Sequence, residues 1–203
     1  MQEDEILSEF RASQALLEGH FILSSGLHSA NYLQCARVLM DPMRASRLAA
    51  ALASNIPREL RSQIEIVISP AMGGVIIGHE VGRALGTEAL FVERPEGVFE
   101  LRRGFAVKEG QKVLLVEDVV TTGLSSREAI AAIREAGGNV IAAASLVDRS
   151  AGEVDLGVPF FPLISLNFPS YAEDELPEEL AGIPAEKPGS RQIPAKGGKS
   201  GRK

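Results

Sequence analysis

Four consecutive apolar residues, Val113-Leu114-Leu115-Val116, run directly into two adjacent carboxylates, Glu117 and Asp118, and then into Val119-Val120-Thr121-Thr122-Gly123-Leu124-Ser125. Such an apolar run needs burial on both faces, the condition of a strand inside a parallel sheet. The acids then emerge at the carboxyl end of that strand, where α/β sheets bind ligands. Thr121 to Ser125 supply backbone N–H groups, hydroxyls and a glycine at the mouth of a helix, which suits a phosphate dianion. The two acids suit sugar hydroxyls. Ser125-Ser126-Arg127-Glu128 reads as a capping box for a helix through Ala136, which Gly137 and Gly138 end.

The rest of the chain repeats that alternation. Ile64–Ser69 is predicted as a strand, Gly73–Leu85 as a helix closed by Gly86, and Glu88–Glu93 as a second strand. Lys112–Val116 is a third and Val140–Val147 a fourth. Strands alternating with single helices imply an α/β fold, a mostly parallel central sheet flanked by helices. Upstream, residues 3–18 have helical spacing up to Gly19, His20–Leu39 reads as two short strands around Ser25-Gly26, and Asp41-Pro42 opens a helix through about Ser54. Residues 94–111 are too charged and glycine-rich for a helical crossover, so a protruding hairpin or mobile loop is predicted. Phe160–Ile164 is a candidate edge strand whose pairing Pro162 limits.

Composition removes several classes. With 203 residues and 45% hydrophobic content the chain can bury one sizeable core. No apolar run approaches the roughly 20 residues of a spanning helix. The N-terminus is acidic where a signal peptide is basic, so a cytoplasmic protein is expected. Cys35 is the only cysteine, which excludes an intrachain disulfide. His20, His28 and His79 lack metal-ligand spacing. Six of the 21 basic residues and none of the 27 acidic ones lie in 187–203, leaving 15 basic against 27 acidic residues in 1–186. So acidic a body is a poor nucleic-acid surface, and an anionic ligand must meet local arginines. The domain is drawn as 1–175, with a core of about 41–165, followed by a tail over 176–203 that is expected to be disordered from about residue 187.

Three further constellations bear on anions. Ser69-Pro70-Ala71-Met72-Gly73-Gly74 is a second small-residue loop on the same sheet edge; the Lys and Ser/Thr of a nucleotide-binding P-loop are replaced by His79-Glu80. Glu100-Leu101-Arg102-Arg103-Gly104 is either solvated surface charge or a phosphate clamp. Arg149, after Asp148, either pairs with that acid or binds an anionic substrate.

The string Val113 to Ser125 resembles the phosphoribosyl-pyrophosphate (PRPP) signature of type I phosphoribosyltransferases. Gly19-His20-Phe21-Ile22-Leu23-Ser24-Ser25-Gly26-Leu27-His28-Ser29-Ala30-Asn31-Tyr32 looks like the N-terminal hood of the orotate phosphoribosyltransferases, and with Ser69–Gly74 and Asp148-Arg149 the similarity covers about residues 1–175. The resemblance implies a phosphoribosyltransferase-like core with a small hood, from about 1–40 plus a C-terminal part, that closes over the base. It also implies transfer of ribose 5-phosphate from PRPP to orotate with Mg²⁺, giving orotidine 5′-monophosphate and pyrophosphate. Glu117, Asp118 and the loop Val119, Val120, Thr121, Thr122, Gly123, Leu124, Ser125 would hold PRPP, with Ala71, Met72, Gly73 and Arg94 toward the pyrophosphate. Glu117, Asp118, Arg102 and Arg103 would be catalytic. Thr121, Arg149, Ser25 and Gly26 would meet orotate.

No protein side chain is expected to ligate the metal directly, Mg²⁺ being held mainly by PRPP. A homodimer with shared active sites is implied, with no nucleic-acid or membrane partner. The chain departs from the family pattern at Ser24 and near Met72, where lysines are usual, and in the loop, where Arg94, Arg102 and Arg103 stand for lysines and a histidine. The alternatives are a purine phosphoribosyltransferase and a PRPP-sensing regulator with little turnover.

Overall fold

The structure, a computed structural model, describes residues 1–23 and 25–187. Ser24 and residues 188–203, on which most of the expected disorder falls, lie outside the described residues. Two compact units form: Met1–Leu17 with Leu33–Phe168, and Glu18–Tyr32 with the chain from Pro169 on.

The first unit is built on strands β3 (Ile66–Pro70), β4 (Glu88–Glu93), β5 (Glu100–Leu101), β6 (Lys112–Val120), β7 (Asn139–Asp148) and β8 (Phe160–Ser165), in the order β5-β4-β3-β6-β7-β8. All neighbours are parallel except the short hairpin strand β5 against β4. The mostly parallel sheet read from the sequence is therefore the fold. Its helices are α1 (Glu3–Ala12), α2 (Cys35–Leu39), α3 (Pro42–Asn55), α4 (Arg58–Arg61), α5 (Gly74–Leu85) and α6 (Leu124–Glu135).

Burial follows the period-two alternation of strands. Val67, Leu114 and Val116 join Phe10, Leu48, Leu52 and Ile77 in one core, while Ile66, Ile68, Val113 and Leu115 join Ile130 and Ile133 of α6 in another. The sheet is thus apolar on both sides, and its central strand β6 is silent about direction until its polar end.

Several local expectations shift. The first helix stops at Ala12 because Gln14 adopts φ 53° and turns the chain; Leu16 and Leu17, read as helical, begin strand β1 (Leu16–Ile22). Cys35–Leu39, read as strand, is α2. The helix at Asp41-Pro42 forms as expected, with the Asp41 carboxylate accepting the Met43 N–H at 2.9 Å. Strand β6 does not end at Val116, since β7 supplies partners as far as Val120↔Asp148 and keeps the acids inside the ladder. The capping box at Ser125 does not form. Gly123, at φ 73°, is the N-cap of α6, and the side chains of Ser126 and Glu128 are used elsewhere.

The second unit holds β2 (His28–Leu33) beside β9 (Ser170–Tyr171), a 3₁₀ turn at Glu173–Glu175 and α7 (Glu178–Ala181). Phe21 bridges to Glu186, and the Ile22 N–H donates to Glu186 O at 2.8 Å. His20 and His28 share a 2.6 Å ring-nitrogen contact, with the other nitrogen of His20 on Ile183 O at 2.8 Å. Residues 176–187, drawn as tail, thus carry a helix and a bridge, while Met1–Leu17 and the chain after Leu33 go with the core rather than with a hood of about 1–40.

Candidate functional site

Because side chains alternate along β6, Glu117 faces α6 and Asp118 faces α5. Glu117 is 6% exposed and accepts a hydrogen bond from Ser126 Oγ at 3.3 Å. Burial drives its pKa up to about 8; the neighbouring Asp118 adds to the rise, and Ser126 and the Arg94 charge oppose it. Asp118 is raised as well, again by burial.

On the other side of β6, a methyl placed on Gly73 would lie 2.5 Å from Asp118 Oδ2. Only a glycine lets the loop after β3 come so near that carboxylate. This loop, Ala71 to Gly73, is tied to β4 by the Ala71 N–H on Val92 O at 2.8 Å; its Ala71–Met72 peptide is cis and Met72 is 82% exposed. The sequence-derived pair of loops therefore flanks the acid pair. Thr121, Thr122, Leu124 and Ser125 are exposed, whereas Val120 and Gly123 are buried and Val119 half-buried.

Arg149 is fastened by its own N–H to Val120 O at 2.8 Å, at the end of the strand beside the acids. Its guanidinium lies 5.5 Å from the Phe168 ring, and its Nε is buried without a hydrogen-bond partner among the described residues. Desolvation pulls its pKa down. Asp148 is buried and accepts the Ser150 N–H at 2.8 Å. An unsatisfied, buried guanidinium nitrogen costs free energy that an anionic ligand can return.

The loop arginines are placed elsewhere. Arg103 makes a bidentate pair with Glu93 at 2.8 and 2.9 Å, Arg94 pairs with Glu128 and lies 4.1 Å over Phe99, and Arg102 is 3.5 Å from Glu100. Ser25 and Gly26 lie in the second unit, in the turn between β1 and β2, with Gly26 at φ 86°. A cavity of about 890 Å³ between α1 and α3, lined by residues such as Glu5, Glu9, Arg47 and Asn55, contains none of the motif residues.

Two residues escaped the sequence reading. Ser126, an interior position of the capping-box string, is the donor to Glu117. Arg127 donates from Nη2 to Thr122 O at 3.0 Å and from Nη1 to Asp155 O at 3.1 Å. The signal was available: both lie in the first helical turn after the loop, the turn nearest any ligand held there.

An acid pair and a glycine turn at the carboxyl end of a parallel strand, opening into a helix, are the arrangement in which α/β proteins can bind a sugar phosphate. A sequence-family model described as a phosphoribosyl transferase domain matches residues 39–157. The orotate phosphoribosyltransferase of Novosphingobium aromaticivorans is 80% identical over 194 residues, covering 96% of this chain and 100% of that protein. The crystal structure of orotate phosphoribosyltransferase from Aeropyrum pernix matches with a TM-score of 0.64 and 28% identity, over 79% of this chain and 93% of that one. Adenine phosphoribosyltransferase from Saccharomyces cerevisiae shares the fold, with a TM-score of 0.61 at 17% identity over 78% of this chain and 99% of that one. The chain belongs to the phosphoribosyltransferase family, in its orotate phosphoribosyltransferase branch.

Proposed function

We propose that this site transfers the ribose 5-phosphate group of PRPP to orotate, yielding orotidine 5′-monophosphate and pyrophosphate in pyrimidine biosynthesis. The observation that carries the reading is the placement, on two adjacent strand ends, of the acid pair Glu117/Asp118 with its phosphate turn and the unsatisfied guanidinium of Arg149. The first is suited to a ribose phosphate, the second to the carboxylate of orotate. Neither a purine base nor a purely regulatory role is favoured beside relatives 80% and 70% identical that are orotate phosphoribosyltransferases.

Breaking the anomeric C–O bond leaves positive charge on the ribose and negative charge on pyrophosphate, while a ring N–H nitrogen of orotate forms the new bond to the same carbon and gives up its proton to the departing pyrophosphate or to water. Catalysis is then positioning plus charge stabilisation, with no covalent intermediate on the protein. Glu117 and Asp118 hold the ribose hydroxyls, and a cation arriving with PRPP would favour the ionised form of Glu117, so that negative charge then faces the developing cation. Thr121 to Ser125 bind the 5-phosphate through N–H and hydroxyl groups, and the loop Ala71–Gly73 borders the pyrophosphate. Arg149 orients orotate through its carboxylate.

Two buried carboxylates, both with raised proton affinity and Glu117 raised further by the neighbouring Asp118, suit a site that receives a cation with its substrate. Mg²⁺ would enter on PRPP beside Glu117 and Asp118 and neutralise the departing anion. The working form in this reading is a cytoplasmic homodimer in which Arg102 and Arg103 of one subunit meet the pyrophosphate of the other.

The test is PRPP-dependent orotate consumption by the purified chain, with PRPP binding measured by calorimetry. The double variant Glu117→Gln/Asp118→Asn should keep its fold and lose PRPP binding. Unaltered affinity in that variant would remove the assignment.

A further inference from the structure

Arg127 stands behind the phosphate turn, not in it. Its two terminal nitrogens diverge to two carbonyls on different segments, Thr122 O in the turn and Asp155 O in the stretch that follows Arg149. A methyl on Gly123 would lie 2.4 Å from Val154 Cγ2, 2.8 Å from Leu156 Cδ2 and 2.9 Å from Arg127 Nη1, so turn, stretch and guanidinium meet at one glycine. The stretch is ordered within itself: Ser150 Oγ accepts the Val154 N–H at 3.3 Å, Asp155 Oδ1 accepts the Gly157 N–H at 2.8 Å, and Leu156 is buried against α6 residues such as Ile130.

We propose that Arg127 is a positioning residue of the transfer reaction, a guanidinium brace that fixes the phosphate-binding turn relative to the segment carrying Arg149. The proposal rests on the functional reading above. A trans peptide points its C=O and the next N–H in opposite directions. Holding Thr122 C=O from behind therefore turns the Gly123 N–H away from Arg127, toward the open side of the turn where the phosphate binds. The cation on that carbonyl also polarises the peptide and strengthens its N–H as a donor. On its second arm the same fork holds Asp155, six residues after Arg149. The phosphate-binding and carboxylate-binding halves of the site thus share one rigid support. Lysine cannot replace it, because a single ammonium does not present two fixed, divergent N–H directions.

The experiment compares wild type, Arg127→Ala, Arg127→Lys, Arg149→Ala and the double variant Arg127→Ala/Arg149→Ala. It reads calorimetric PRPP affinity, both Michaelis constants, kcat and the thermal midpoint. Arg127→Ala should weaken PRPP binding at least tenfold and raise the orotate Michaelis constant at least threefold. Arg127→Lys, the milder variant should alanine impair folding, should recover neither constant. In the Arg149→Ala background the Arg127 effect on the orotate constant should disappear, because the group it positions is gone; a purely structural role would leave that effect intact. Unchanged constants in Arg127→Ala, full recovery by lysine, or additive orotate effects in the double variant would each overturn the brace. A wild type that consumes no orotate in the presence of PRPP overturns the functional reading itself, whereas an active wild type with indifferent Arg127 variants overturns the brace alone.

Discussion

Glu117 is an acid that the folded chain prefers to keep protonated, and this sets a stability slope of known sign. Below about pH 4.5 the group is neutral whether the chain is folded or unfolded. Above it the unfolded chain ionises while the folded one retains its proton up to about 8, so stability falls as pH rises through that window. In substrate-free protein Glu117→Gln should flatten the slope and gain several kcal/mol at pH 9, on the order of 5, read by urea unfolding across pH. Parallel slopes in the two proteins would show that Glu117 ionises freely. Arg149 is the opposite case, a cation whose buried Nε has no hydrogen-bond partner among the described residues. Arg149→Ala should raise the orotate Michaelis constant at least tenfold, equal to about 1.4 kcal/mol, with the PRPP constant little changed. An unaltered orotate constant would put the carboxylate contact elsewhere.

At the scale of elements, what the sequence disclosed was what period and punctuation encode. The apolar run of β6, the Asp41-Pro42 start of α3 and the Gly86 stop of α5 each carry their own local signal, and each stands close to where the pattern puts it. Strand length did not disclose itself. Whether β6 stops at Val116 or continues through the acids depends on partners 28 residues further along in β7, which no local pattern contains. The capping-box sequence failed for a related reason: Glu128 pairs with Arg94, and Gly123 took over the cap from Ser125.

The seating of α5 was likewise hidden. A methyl on Gly78 would fall 1.7 Å from the buried Ser69 Oγ. Gly78→Ala should therefore push α5 off β3 and destabilise the chain by about 1–3 kcal/mol despite better helix propensity. A raised thermal midpoint in that variant would contradict the close approach.

For the whole molecule, the acidic surplus of residues 1–186 places the burden of binding a polyanion on a few local cations. Arg102 and Arg103 directly follow β5 and are exposed, and in the proposed homodimer with shared sites they would act on the neighbour's pyrophosphate. Mixing inactive Arg102→Ala/Arg103→Ala with inactive Glu117→Gln/Asp118→Asn should then restore activity, since a hybrid dimer contains one intact site of two. If subunits exchange and no activity returns, the arginines work within their own chain. The phosphate turn and the acid pair were legible in thirteen consecutive residues. The brace at Arg127 was not, because one of its two anchors, Asp155, lies 28 residues downstream and is joined only by folding.

The hairpin has one more consequence. Arg103 and Arg94 are not idle cations; each is already neutralised, by Glu93 and by Glu128. Recruiting either one is an ion exchange: the incoming phosphate oxygens replace a resident carboxylate, and the gain is the difference between two contacts, not the whole of one. Such a pairing behaves as a buffer of charge. A hairpin paired in this way would favour a ligand that offers more negative charge than a single carboxylate does.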